Sequence, residues 1–283
     1  MKRYLNRLAI GAAAALIFAC APSKQFCPAD YSVDFVEASR FAEKARLAYE
    51  PDSVIREACG PDSCFLFTGR ATKAKVFLQR NDSTKVQWLA FRGTQGAYDV
   101  KSDARFTQAR DTVLEMHFHR GFAAVAGDLY PEFSPLLNPE YRTMVTGHSL
   151  GGAVAVITAL RLKKVGYSVS VYTFGQPKVT NGEGVKLASS LPLTRFIHGK
   201  DLVALVPPIS WKPGKDLGTY SHFGREVALQ DQGYECLEEH FSKRHDPSSW
   251  WEQAQKQAVA DHLMDNYVTK LRELADRQAA AGP

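Results

Sequence analysis

A serine hydroxyl becomes a useful nucleophile only when a base takes its proton and the backbone holds it clear of its neighbours. Gly147-His148-Ser149-Leu150-Gly151 fits the pattern G-x-S-x-G that achieves the second condition. A β-rich run at 142–146 precedes it and a helical pattern at 151–164 follows. So sharp a strand-to-helix turn strains its central residue, and Gly147, Gly151 and Gly152 remove the Cβ atoms that would clash there. The turn places the Ser149 hydroxyl at the carboxyl edge of a sheet, where open α/β folds carry their sites. The helix aims its unpaired N–H groups and positive dipole end at the same spot. The backbone N–H of Leu150 is then a donor for an oxyanion.

The elements needed to position such a serine are legible in the pattern. Phe35, Ala38, Phe41, Ala42, Ala45 and Ala48 recur at helical spacing. Segments 75–79 and 85–91 are β-rich, and Asn81-Asp82-Ser83-Thr84 between them predicts a hairpin turn. A helix is expected over 121–137, stopping before Pro139. From there strands at 142–146, 169–174 and 194–198 alternate with helices at 151–164 and 182–191. That β-α-β-α-β order implies a parallel sheet with helices on its faces, an α/β fold. A Pro/Gly-rich loop follows at 200–221, and the last long helix falls between 248 and 277. No internal repeat or low-complexity linker divides the chain, so 33–283 is expected to be one domain.

Composition excludes several classes. With 283 residues, 45% hydrophobic and 23% charged, the chain is of ordinary globular make-up. Its net charge of +5 comes without a Lys/Arg stripe interleaved with aromatics, so no nucleic-acid partner is expected. Lys2, Arg3 and Arg7 flank an apolar run at 8–19 that is too short for a permanent span, and no acid occurs among these nineteen residues. It has the form of a signal peptide over 1–19, followed by a tether over 20–32, and it accounts for most of the excess charge. Ile17-Phe18-Ala19-Cys20 resembles the lipobox of bacterial lipoproteins, with Cys20 as the lipidated residue. The competing cut, after Ala19-Cys20-Ala21, gives a soluble exported protein. Taking Cys20 for a lipid leaves an even set, Cys27, Cys59, Cys64 and Cys236. Cys59 with Cys64, and Cys27 with Cys236, is the preferred of three disulfide pairings.

Taken together these segments resemble the lipase class 3 family, the fungal-type triacylglycerol lipases, which are α/β-hydrolases. The likeness runs from Phe35 to Tyr267. Leu89-Ala90-Phe91-Arg92-Gly93-Thr94 resembles the family's oxyanion loop, and His119-Arg120-Gly121-Phe122 its next block. Gly147–Gly152 resembles its elbow and Thr173-Phe174-Gly175-Gln176-Pro177-Lys178-Val179 the strand after it, with Lys178 where the family more often has Arg. His198-Gly199-Lys200-Asp201-Leu202-Val203, followed by Pro207-Pro208, resembles the acid loop.

The resemblance implies a triad in the order Ser, acid, His. Asp201 is the expected acid, just past the strand at 194–198, with Asp216 and Asp231 as fallbacks. Two histidines compete for the base. His222, in Tyr220-Ser221-His222-Phe223-Gly224, lies directly after the acid loop, whereas the family takes its base from a later Asp-His segment followed by Tyr. Here that segment is Asp261-His262-Leu263-Met264-Asp265-Asn266-Tyr267, and His262 is the expected base. Thr94 is the expected second oxyanion donor beside Leu150. The lid position, 95–106, sets Tyr98 and Val100, its few apolar members, among Asp99, Lys101, Asp103 and Arg105. Smaller soluble esters and phospholipids therefore stand beside triacylglycerols as substrates.

No cofactor is implied. Cys236, Glu239, His240, His245 and Asp246 fit no tight metal spacing. His117 and His119, which precede the nucleophile, are expected to be structural. Trp250-Trp251 is expected to begin a core-packed helix. The expectation is an exported, monomeric serine hydrolase of carboxylic esters, tethered to the cell envelope. The rivals are a phospholipase or other carboxylesterase with the same triad, and an inactive lipoprotein that keeps the fold as a binding module.

Overall fold

The computed structural model describes residues 32–60, 63–94, 107–206, 220–237 and 259–281. Cys20, Cys27, the 95–106 segment, Pro207-Pro208, Asp216, Glu239, His240, His245, Asp246 and Trp250-Trp251 lie outside them, as do the expected leader and nearly all of the tether.

In chain order the elements are α1 (Phe35–Leu47), α2 (Asp52–Cys59), β1 (Cys64–Thr68), β2 (Lys75–Asn81), β3 (Val86–Phe91), β4 (Gln108–Asp111) and β5 (Met116–His119). Then come α3 (Arg120–Phe133), β6 (Arg142–His148), α4 (Leu150–Lys164), β7 (Val169–Phe174), α5 (Gly182–Ala188), β8 (Leu193–His198), β9 (Arg225–Gln230), β10 (Gly233–Leu237) and α6 (Met264–Ala280). Eight of the described strands form one sheet in the order β1-β2-β3-β6-β7-β8-β9-β10, and β4 pairs with β5 as a separate hairpin. The centre, from β3 to β9, is parallel, and antiparallel pairs close both sides.

The period of two along each strand feeds two cores. Val145, Val171 and Leu193 pack with Ala126, Leu129 and Phe133 of α3 and with the apolar residues of α4. Their neighbours Met144, Phe174 and Phe196 point the other way, to Phe41 and Ala45 of α1 and Val268 and Leu271 of α6. Covered on both faces, the parallel strands can be apolar throughout. Phe41 sits at the middle of the second layer, stacked on Tyr172 at 4.3 Å between ring centroids and edge-on to Trp88 at 4.8 Å.

Local chemistry sets the boundaries. Asp34 caps α1 by accepting the Glu37 N–H at 2.8 Å, and Asn181 caps α5 through the Gly184 N–H at 2.9 Å. Asn81 Oδ1 takes the N–H groups of Ser83 and Thr84, which makes the expected β2–β3 turn. α3 continues through Pro131 and ends at Phe133, where a 3-10 turn over Ser134–Leu136 replaces the rest of the expected helix. α5 stops at Ala188, short of 191, and Leu191 instead enters the core as part of the turn into β8. Helix α2, strand β1 and the pairs β4–β5 and β9–β10 were not anticipated.

The expected Cys59–Cys64 bridge is absent. Both residues are buried free thiols, at the end of α2 and the start of β1, and they meet as hydrogen-bond partners instead of a covalent pair. Among the described residues no helix is long and apolar enough to cross a membrane.

Phe41→Ala removes a fully buried ring whose two aromatic neighbours, Trp88 and Tyr172, cannot collapse into the space. We expect a loss of about 3–5 kcal/mol in unfolding free energy, read from urea denaturation, with α1 and α6 losing hydrogen-exchange protection first.

Candidate active site

The parallel registry aligns four strand ends. Phe91 lies opposite Gly147, His148 opposite Phe174, and Phe174 opposite Phe196. The residues just past those ends are Thr94, Ser149, Gly175 and Asp201, so all four gather at one edge of the sheet.

Ser149 has φ 56° and ψ −131°. This is backbone that non-glycine residues rarely adopt, and its strain is held by surrounding bonds. Its N–H donates to the Phe174 carbonyl at 2.9 Å, and its own carbonyl accepts from Gly152 at 2.9 Å. Leu150 opens α4, and no side chain caps that helix, which leaves its first N–H groups for another acceptor. A Cβ on Gly151 would lie 2.8 Å from the carbonyl carbon of Arg92 and 2.9 Å from the Gly93 nitrogen. Glycine there lets the segment leading to Thr94 press directly against the elbow.

Asp201 is buried, yet its carboxylate is fully supplied with donors. Oδ2 accepts from His262 Nδ1 at 2.8 Å and from Tyr267 Oη at 2.6 Å, and Oδ1 accepts from the Val203 N–H at 2.9 Å. Burial alone would raise its pKa. The hydrogen bond and charge of His262, then the hydroxyl of Tyr267, outweigh that and hold it below the usual carboxylate range. Burial and then the Asp201 charge push the Tyr267 phenol far up, so it stays protonated as a donor. Its oxygen in turn accepts the His198 N–H at 3.1 Å.

His262 therefore gives its Nδ1–H to Asp201 and keeps Nε2 for other chemistry. It occupies the turn ahead of α6, not the helix face that the apolar spacing of 258–271 suggests. Leu263, counted in that spacing, is exposed. Gly175 makes room for the pair. Its φ is +55°, and a Cβ there would collide with Asp201 Oδ2 and lie 2.9 Å from His262 Nδ1. The rings of His148 and His262 lie 4.4 Å apart between centroids.

Of the two candidate histidines, only His262 reaches Asp201. His222 is half-buried and places Nε2 at 2.5 Å from the Ala204 carbonyl. Asp231 lies in the β9–β10 turn, where its carbonyl accepts from Lys270. His117 and His119 flank Phe118 on β5, with the His117 carbonyl bonded by Thr180 and the His119 ring against Phe122. Among the described residues no group of three or more His, Cys, Asp or Glu side chains is placed to hold a metal. Tyr49 escaped sequence reading altogether, since nothing distinguishes a tyrosine after a helix from a packing residue. Tyr267 was visible only as part of the Asp-His…Tyr segment.

Residues 88–211 match the family model described as Lipase (class 3). A lipase of Rhizopus niveus is 31% identical over 159 residues, covering 51% of this chain and 41% of its own length. A secreted mono- and diacylglycerol lipase of Fusarium solani is 31% identical over 150 residues, 50% of this chain and 45% of its own. The chain thus spans less than half the length of these curated relatives. Among solved structures, lipase II from Rhizopus niveus superposes with a TM-score of 0.64 at 24% identity, covering 81% of this chain and 92% of that one. The fold is that of the α/β-hydrolases.

Burial drives the pKa of His148 down to about 3 and that of His222 well below its usual value. The folded protein keeps both neutral, while the unfolded chain protonates them below about pH 6.5. Stability should therefore fall as pH drops from about 6.5 towards 4, by about 1 kcal/mol per pH unit for each histidine. Urea melts across that window test this, and His222→Gln should make the slope shallower by about half.

Proposed function

We propose that this chain, a member of the lipase (class 3) family, is a serine hydrolase that cleaves carboxylic esters through an acyl-enzyme. The observation that carries the reading is the buried Asp201–His262 pair at the sheet edge where Ser149 is held in strained elbow geometry. Ser149 Oγ attacks the ester carbonyl while His262 Nε2 takes its proton, and Asp201 orients and balances the resulting imidazolium. The negative charge on the former carbonyl oxygen is met by the N–H groups of Leu150 and Thr94. The imidazolium then returns its proton to the departing alcohol, leaving Ser149 acylated. A water molecule, deprotonated by His262, attacks the acyl carbonyl, and collapse of that second adduct releases the acid and restores Ser149.

For the substrate we propose lipid esters or smaller soluble esters. The charged make-up of 95–106 favours the smaller ones, because a lid that opens onto lipid carries more apolar surface. Export follows from the basic-then-apolar leader and accords with the secreted relative. Within that proposal 1–19 is removed, Cys20 carries a lipid anchor, 20–32 tethers a monomeric domain over 33–283, and no cofactor takes part. The alternative, a fold-retaining module without activity, is disfavoured by the intact Ser149, Asp201 and His262.

The test is labelling of the folded protein with a fluorophosphonate, followed by turnover of p-nitrophenyl esters of graded chain length. Wild type should label at Ser149 and turn over. Ser149→Ala should lose the label and about 10⁵–10⁶ of kcat. Absence of label on folded wild-type protein would sink the hydrolase reading. Near-normal turnover by His262→Ala, with His222→Ala inactive, would overturn the choice of base.

A further inference from the structure

A chain of hydrogen bonds outside the Ser149–His262–Asp201 set joins the Gly93–Thr94 segment, the elbow and the loop that carries His262. The Gly93 N–H bonds the Tyr49 oxygen. Tyr49 Oη lies 2.7 Å from His148 Nδ1, and His148 Nε2 lies 2.7 Å from the backbone carbonyl of His262. A carbonyl can only accept, so Nε2 must carry the hydrogen of His148. In the neutral ring Nδ1 is then a lone pair, and Tyr49 must donate to it. Every donor therefore points the same way, from the Thr94 loop through Tyr49 and the elbow residue His148 to the loop that carries His262.

We infer that Tyr49 and His148 are positioning residues for the hydrolytic reaction, with Tyr49 locking the tautomer through which His148 holds the His262 backbone in place. The inference rests on the proposed serine hydrolase activity. Its physical content is the tautomer. If Tyr49 stops donating, His148 is free to move its hydrogen to Nδ1, and a lone pair on Nε2 then faces the lone pairs of the His262 carbonyl. The attraction becomes a repulsion at the residue whose ring must stay on Asp201 Oδ2. Fixing a base to a fraction of an ångström matters because rate falls steeply with misalignment. Packing alone does not explain the arrangement, since a phenylalanine at 49 would fill the same space.

The experiment uses the full chain with ring-¹⁵N histidine, and the variants Tyr49→Phe, His148→Gln and His148→Leu. In wild type the His148 resonances should show an unprotonated Nδ1 and a protonated, slowly exchanging Nε2. Tyr49→Phe should lose that signature and about ten-fold in kcat on a soluble p-nitrophenyl ester, with KM within about two-fold. His148→Gln, whose amide can still donate to the His262 carbonyl, should keep more kcat than His148→Leu at equal thermal stability. A wild-type His148 protonated at Nδ1 overturns the inference, as does a Tyr49→Phe enzyme with unchanged kcat. A loss of kcat that disappears when the variant is assayed well below its melting range overturns it too. If wild type neither labels with a fluorophosphonate nor turns over, the hydrolase reading has failed, and with it the catalytic half of the inference. The NMR signature then decides the relay by itself.

Discussion

Asp201 is a carboxylate removed from water, and the layout of the site follows from what such a group requires. An ionised carboxyl without partners would be intolerable there. Its three donors come from separate parts of the chain: Val203 in its own loop, His262 ahead of α6, and Tyr267 one turn inside α6. Two of the three therefore depend on where the last helix docks. That docking is fixed in turn by the layer it shares with α1, where Phe35 and Val33 bond Gln278 across the contact. The electrostatics of one buried group thus bind the amino-terminal and carboxyl-terminal helices to the centre of the sheet.

The topology supplies the remaining geometry. Parallel strands all end on the same side, so neighbouring strands deliver their following loops to one edge. Here that edge receives the segment after β3, the elbow after β6, Gly175 after β7 and Asp201 after β8. The antiparallel pairs β1–β2 and β9–β10 lie outside that parallel centre. They widen the sheet and cover the flanks of its parallel centre. Close approach among the four loops requires missing side chains, and the glycines fall where backbones would otherwise collide. Gly151 touches the β3 loop and Gly175 touches the acid–histidine pair.

How much of this could be read beforehand depended on the range of the forces involved. Glycine spacing around Ser149 and the alternation from β6 to β8 reflect local sterics and burial period, and both stand in the structure almost to the residue. β4 could not be seen, because Gln108-Ala109-Arg110-Asp111 has no apolar alternation and is a strand only through its partner. β9 and β10 are short, and their pairing is non-local at β8. His262 is the sharpest case. Apolar spacing around it suggested a helical face, yet Leu263 is exposed and α6 begins only at Met264. Resemblance to a family placed it where periodicity could not. The role proposed for Tyr49 rests on a contact to residue 148, which no local pattern encodes.

The protonation states around the site complete one electrostatic argument. Tyr267 is held protonated and His148 is held neutral, so neither the described phenol bonded to Asp201 nor the described ring stacked on His262 adds a charge to the pair. With His262 neutral, the pair carries one buried negative charge. When His262 takes a proton, as the proposed reaction demands, the pair becomes an internally neutral ion pair at 2.8 Å. Proton transfer from the serine therefore relieves an existing imbalance at this end while creating an oxyanion at the other, near the amino end of α4. A second cation at position 148 would undo this, since it would stack on the imidazolium 4.4 Å away. Burial prevents that charge, and the hydrogen bonds at both ring nitrogens give the neutral form a fixed orientation. The same desolvation that makes His148 a liability to stability in acid thus keeps a second positive charge away from the ring of His262.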